Sequence, residues 1–150
     1  MARQFKFKLE VVLFERKRAE ERRLHEWVLA RTILQKMIDY RDELKERLQA
    51  AILEATQLSG LPTNSSAQFL AVHDFIEGTK KRIEWKNSEV ERAVKLTEKK
   101  RLEYVQAAQK RQSIEKLKER RLEEYKESIL KKELKELDDV YIMHGVREHE

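Results

Sequence analysis

Four histidines, His25, His73, His144 and His149, are the side chains of this sequence best suited to hold a metal or to move a proton near neutral pH. Their spacing supports neither use. His144 and His149 stand five apart near the end of the chain, and no further ligand accompanies them at metal-ligand spacing. His73 precedes Asp74 and reads as half of an exposed polar pair. The chain has no cysteine, so it has no thiolate metal site, disulfide or cysteine nucleophile, a usage that suits a reducing compartment. A glycine-rich phosphate loop, an HExxH pair and a nucleophile elbow are all missing. Carboxylates abound, but on long helices they have no concave, water-excluding pocket in which a pKa could be tuned. The expectation is a protein that is not an enzyme, with no catalytic, cofactor or metal residues and no small-molecule substrate.

Charge is the second chemistry on offer. Between Lys80 and Arg121 there are fifteen basic residues against seven acidic ones, with Lys80-Lys81-Arg82 and Lys99-Lys100-Arg101 the densest groups. Such a flank fits an acidic protein surface or nucleic acid. It equally fits a solvated coiled-coil face on which Lys and Arg alternate with Glu. Acidic residues stay interleaved throughout, and aromatics spaced to stack on bases are absent. A basic helical hairpin that binds nucleic acid is kept as an alternative. Retention on a heparin or RNA column with a steep salt dependence would identify it.

The elements that carry these residues are set by one short stretch, Gly60-Leu61-Pro62-Thr63-Asn64-Ser65-Ser66, which holds the only proline and one of three glycines. Gly60 suits the position just past a helix that ends at Leu58 or Ser59, because glycine takes the left-handed conformation without a Cβ clash. Pro62 cannot continue a helix and disfavours helical geometry at Leu61. Ser65 with Gln68 fits a capping box for a new helix. Charged residues make up 41% of the chain and the mean hydropathy is −0.80, a composition of long helices or coiled coil. The expected fold is all-α: one domain over 1–150, a helix over about 9–58, a turn over 59–65, a longer helix over about 66–142 and a frayed tail over 143–150. The two helices fold back as an antiparallel coiled-coil hairpin. No uninterrupted apolar stretch at the start suggests a secretory signal, and nowhere do enough apolar residues run together to span a membrane.

Steps of four and three along the first helix land on Leu9, Leu13, Arg16, Glu20, Arg23, Trp27, Ala30, Leu34, Met37, Arg41, Leu44, Leu48, Ala51, Ala55 and Leu58. Eleven of these fifteen are apolar. Val12, Leu24, Val28, Ile33, Ile38 and Ile52 flank the row and are expected to widen the buried face. Arg16, Glu20 and Arg23 mark a weak seam. In the second helix Ile76, Ile83, Val90, Thr97, Tyr104 and Arg111 repeat every seven residues, with Val72, Ala93, Ala107 and Ile114 as companions. Beyond Arg111 the phase slips through Leu117, Leu122, Tyr125 and Ile129 to a new row, Leu130, Leu134, Leu137 and Tyr141. A turn centred on Pro62 puts Leu9 opposite position 115 and leaves 116–141 without an intramolecular partner. That overhang carries eight basic and eight acidic residues. Tyr40, beside Met37 and Leu44, is expected near Phe69, Phe75 and Ile76 across the turn, as an anchor patch or as ordinary packing.

The opening Phe5-Lys6-Phe7-Lys8-Leu9-Glu10-Val11-Val12-Leu13, the segment Met37-Ile38-Asp39-Tyr40, the break followed by Phe75-Ile76, and the close Glu123-Glu124-Tyr125…Lys135-Glu136-Leu137-Asp138-Asp139 resemble the flagellar export protein FliJ family over nearly the whole chain. The resemblance implies a cytoplasmic component of flagellar type III secretion, peripheral to the inner membrane at the flagellar base and needed for flagellum biogenesis. It implies a two-helix coiled coil similar to the central stalk of rotary ATP synthases. Such a stalk inserts into the hexameric export ATPase ring, promotes its assembly and links it to the cytoplasmic domain of the export gate FlhA; some members also escort export chaperones. Carried over by position, the gate surface falls on Ile33, Met37, Tyr40, Leu44 and Phe75, with Thr79 and Arg82 departing from its apolar character. The ATPase-ring contact falls on Leu9, Leu13, Arg16, Glu20, Arg23, Leu122, Tyr125, Ile129, Leu130 and Leu137. The equivalent stalk of a virulence type III system is the nearest alternative.

Overall fold

The structure, a computed structural model, describes residues 4–60 and 66–148. Two helices, α1 (Glu10–Ser59) and α2 (Ser66–Arg147), make up nearly all of it, and no strand occurs among the described residues. At 82 residues α2 is much the longer, against 50 for α1. The antiparallel hairpin reads directly from paired side chains: as α1 is ascended its partners descend α2. The expected turn, with Pro62 and the Ser65 cap, lies outside the described residues.

The end of α1 differs from expectation. Gly60 does not take a left-handed conformation. Its N–H donates to the Gln57 carbonyl at 3.3 Å, and the Ser59 hydroxyl donates to the Thr56 carbonyl at 2.8 Å. A bond of the three-residue type tightens the last turn and satisfies a terminal carbonyl while the backbone stays right-handed.

The chain divides into two compact units, each a section of the helical pair. One is Arg22–Tyr104; the other joins the start of α1, up to Glu21, to α2 from Val105 onward. In the first, Leu44, Ala51, Ile76, Ile83 and Val90 are buried, and Trp27 stacks on Tyr104 with ring centroids 5.5 Å apart. In the second, Leu13 is the buried side chain. The four-and-three row of α1 is the seam as expected, since all its members except Leu9 and Arg23 are buried or half-buried. The facing row of α2 includes Thr79, only 2% exposed between Ile76 and Ile83.

Two expectations need correction. Val12, Leu24, Val28, Ile33 and Ile52 do not widen the seam; they are exposed, and only Ile38 is half covered. Two helices touch along one strip, so a residue one step off that row faces solvent. Helix α2 also continues past position 142 to Arg147, with Gly145 inside it and His144 and Arg147 in the last turn, where cations suit the helix dipole.

Gly78 sits within α2, and a Cβ there would meet nothing within 4 Å. Helix propensity then decides the outcome. Gly78→Ala is expected to raise stability by about 1 kcal/mol, read as a higher urea midpoint. A lower midpoint would mean that the glycine serves a purpose beyond the helix itself.

Candidate partner-binding surfaces

Within the 22–104 unit, the residues that the resemblance assigns to gate binding fall in different settings. Ile33 and Tyr40 are exposed and Met37 is half-buried. Leu44 is 2% exposed, inside the seam and inaccessible to a partner while the helices stay paired. Phe75 is exposed, but it is not beside Tyr40. The Lys86 ammonium lies 5.0 Å from the Tyr40 ring centroid, which fixes the height of Tyr40 on α2. Phe75 is a full three turns from Lys86, roughly 16 Å along the axis. The expected single aromatic cluster is therefore two separate surfaces. Next to the first, Ala30, Ile33, Met37, Ala93, Leu96 and Thr97, together with Glu89 and Arg92, line an open groove of about 300 Å³. Thr79 is buried and Arg82 exposed, so the two departures from apolar character have different meanings. Thr79 belongs to the seam, and only Arg82 changes the surface.

In the other unit the helices pair farther than the expected Leu9–115 register. Lys118 bonds Glu10 and Lys17 lies 3.7 Å from Glu115. Residues 4–8 then run on against α2, and Phe5 meets Tyr125 with ring centroids 5.5 Å apart. Leu117, Leu122, Tyr125 and Ile129 are half-buried as a result. Among the described residues α2 has no partner from Leu130 onward, and every described residue from there to Glu148 is exposed. Leu130, Leu134, Leu137 and Tyr141 form an open row there, Tyr141 being 82% exposed. Of the positions assigned to the ATPase ring, Leu130, Leu137, Leu9 and Arg23 are exposed. Leu122, Tyr125, Ile129 and Arg16 are half-buried, and Leu13 and Glu20 lie within the seam.

Several exposed apolar residues were not assigned to any surface from sequence: Val11, Phe14, Trp85, Val140, Ile142, Met143 and Val146. Val11 and Phe14, three apart and off the seam row, could have been recognised by that spacing. Met143 and Val146 fall in the expected frayed tail over 143–150, whereas Val140 and Ile142 lie inside the expected helix and off its apolar row.

Ion pairs replace apolar packing where the seam row is polar. Arg111 bonds both Glu20 and Glu115; the Glu20 carboxylate, followed by that of Glu115, holds the guanidinium in its charged form. Arg23 reaches Glu26 and Glu103, each at 3.1 Å, and Lys100 reaches Glu26 at 3.4 Å and Glu103 at 3.5 Å. Hydrogen bonds from Arg23 above all, and from Lys100, lower the pKa of Glu26. Lys86 and Trp85 do the same for Glu89, and Arg101 for Glu98. Lys80, Lys86, Lys100, Arg101 and Arg111, all in the basic stretch, each have a carboxylate partner. The solvated, salt-laced face is the reading these pairs support.

These shifts have a definite sign. A carboxylate with a depressed folded-state pKa stabilises the fold above its unfolded value, near 4.5, and that contribution is lost as the pH falls through the folded value. The thermal midpoint is expected to fall as the pH drops below about 4.5, modestly because these groups are solvated. Circular dichroism melts at stepped acid pH check this, and a rising midpoint would contradict it.

Among the described residues no group of three His, Asp or Glu side chains stands close enough to hold a metal, and no helix is long and apolar enough to cross a membrane. What fold and surfaces together define is a helical hairpin zipped by a narrow seam, with uncovered apolar rows outside it. The chain matches the flagellar FliJ protein family across residues 5–150 and belongs to that family. Its role therefore lies in flagellar protein export. No curated protein and no solved structure matches it.

Proposed function

We propose that the protein is the coiled-coil stalk of the flagellar type III export apparatus, binding the export ATPase ring at one end and the cytoplasmic domain of FlhA through the middle of the hairpin. The observation that carries this reading, beside the family, is the helical overhang of α2, whose apolar row from Leu130 to Tyr141 has no partner among the described residues. An amphipathic helix with one face bare is a ready insert for a protein cavity. Leu130 and Leu137 are the contacts exposed for that purpose, with Leu9 and Arg23 at the surface of the paired section. Leu13 and Glu20 act indirectly by keeping the helices zipped.

For the gate, Ile33, Met37 and Tyr40 with the adjoining groove are the favoured contact; Phe75 offers a separate one. The chain would sit in the cytoplasm at the flagellar base, reaching the membrane only through the apparatus, and would transmit motion while the ATPase does the chemistry. Escort of export chaperones is compatible with the same surfaces.

Adding the protein to its cognate export ATPase is expected to raise turnover and ring assembly; no effect at any ratio overturns the reading. Tyr40→Ala is expected to weaken FlhA binding about tenfold while helicity stays constant, since its side chain is 44% exposed and lies outside the buried seam. Loss of helicity in that variant would instead make Tyr40 a seam residue.

A further inference from the structure

The open row of the overhang has a property that its exposure alone does not explain: its flanking charges are complementary to themselves in one orientation and not in the other. Leu130, Leu134, Leu137 and Tyr141 follow each other at four, three and four residues, so they form one coiled-coil seam. Beside that seam, Lys131 and Asp138 flank one side, and Lys126, Glu133, Val140 and Arg147 the other. In a parallel pair of such helices, flanking residues five apart meet across the interface. Lys126 would then face Lys131 of a second copy and Glu133 would face Asp138, each clash occurring twice by symmetry. In an antiparallel pair, residues on the same flank meet. Lys131 then faces Asp138 of the second copy, also twice, while Glu133 faces the apolar Val140. The like-charge encounter of Lys126 with Arg147 also occurs twice, but it falls on the last helical residue, where solvent screens it most.

The same antiparallel register closes the apolar row. Leu130 packs against Tyr141 of the second copy and Leu134 against Leu137, so a single two-fold axis between positions 135 and 136 covers all eight side chains. An isologous contact of this kind ends at two copies and does not build a filament. We propose that the α2 overhang docks on the overhang of a second copy of this chain, antiparallel, through Leu130, Leu134, Leu137 and Tyr141, with Lys131–Asp138 pairs fixing the orientation. The inference goes beyond the export role proposed above. A row occupied by a second copy is withdrawn from any ring subunit, so the dimer would be a resting form that the ring must outcompete. The contact is short, so the dimer is weak and concentration-dependent.

The full chain tests this without any other protein. Sedimentation equilibrium over a wide dilution series is expected to show a mass rising from 18.1 kDa towards twice that value. Lys131→Asp is expected to shift the midpoint about tenfold towards higher concentration, because two attractive pairs become repulsive. Asp138→Lys should do the same, and the two changes together should restore the original midpoint. Because the chain lacks cysteine, orientation can be read by oxidation. Leu130→Cys mixed with Tyr141→Cys should give a mixed disulfide, and neither variant should cross-link with itself. Self-cross-linking of either variant alone, or a mass fixed at the monomer with normal helicity, overturns the proposal. The second of those results would leave the row to a partner of another kind.

Discussion

Leu44→Ala is expected to lower the unfolding free energy by about 3 kcal/mol, a large share of what a thin two-helix seam can supply. Leu44 is 2% exposed, and among the described residues six apolar side chains are buried: Leu13, Leu44, Ala51, Ile76, Ile83 and Val90. Tyr40 lies beside Lys86, so Leu44, one turn on, stands near the height of Ile83 on α2. Truncation there removes transfer free energy and leaves a gap that two stiff helices close only in part. Leu134→Ala, by contrast, removes a side chain already in solvent and should change stability by less than about 0.5 kcal/mol. Urea unfolding followed by circular dichroism compares the two directly. Equal losses would mean that the seam does not run through Leu44. The same experiment separates two uses of Leu44. If Leu44→Ala weakens gate binding, the loss should track the loss of helicity, whereas Tyr40→Ala should weaken binding alone.

The seam was legible because it depends on type and spacing only. From Leu13 to Leu58 the four-and-three row is the covered one apart from Arg23, and Arg16 and Glu20 are in it despite their charge. Spacing could not say how wide the covered strip would be. Val12 and Ile33 are as apolar as Leu13, but one helix opposite leaves them in solvent, where a bundle would have buried them. Register was legible to within a turn. Placing the fold-back at Pro62 set Leu9 opposite 115, whereas Glu10 meets Lys118. Small offsets of this kind are set by which side chains interlock, and sequence spacing is blind to them. The contact of Phe5 with Tyr125 was beyond reach for a different reason: residues 4–8 are not helical and obey no period. Tyr40 and Phe75 both lie towards the turn in sequence, but that closeness does not set their heights along the helical pair. Tyr40 and Phe75 are about three turns apart along α2, so each must be tested alone.

Replacing Leu130, Leu134 and Leu137 together by serine is expected to raise the concentration needed for half-maximal stimulation of the export ATPase by at least about a hundredfold, with the hairpin intact. Each leucine buried in a protein cavity contributes about 1.5–3 kcal/mol, so three of them exceed the roughly 2.7 kcal/mol that a hundredfold change requires. All three are exposed in the free chain, so their loss should leave the thermal midpoint nearly unchanged. Ile33→Ser serves as the control, since on the proposed reading it lies on the gate surface and should stimulate normally. The dimer adds a sharper expectation. Lys131→Asp weakens self-association but keeps the apolar row, so it should stimulate the ATPase at least as well as the unaltered chain. A triple serine variant that stimulates normally would remove the overhang from the ring contact and return that role to the paired section around Leu9 and Arg23. Loss of stimulation in Lys131→Asp as well would mean that the dimer, and not the single hairpin, is the form the ATPase accepts.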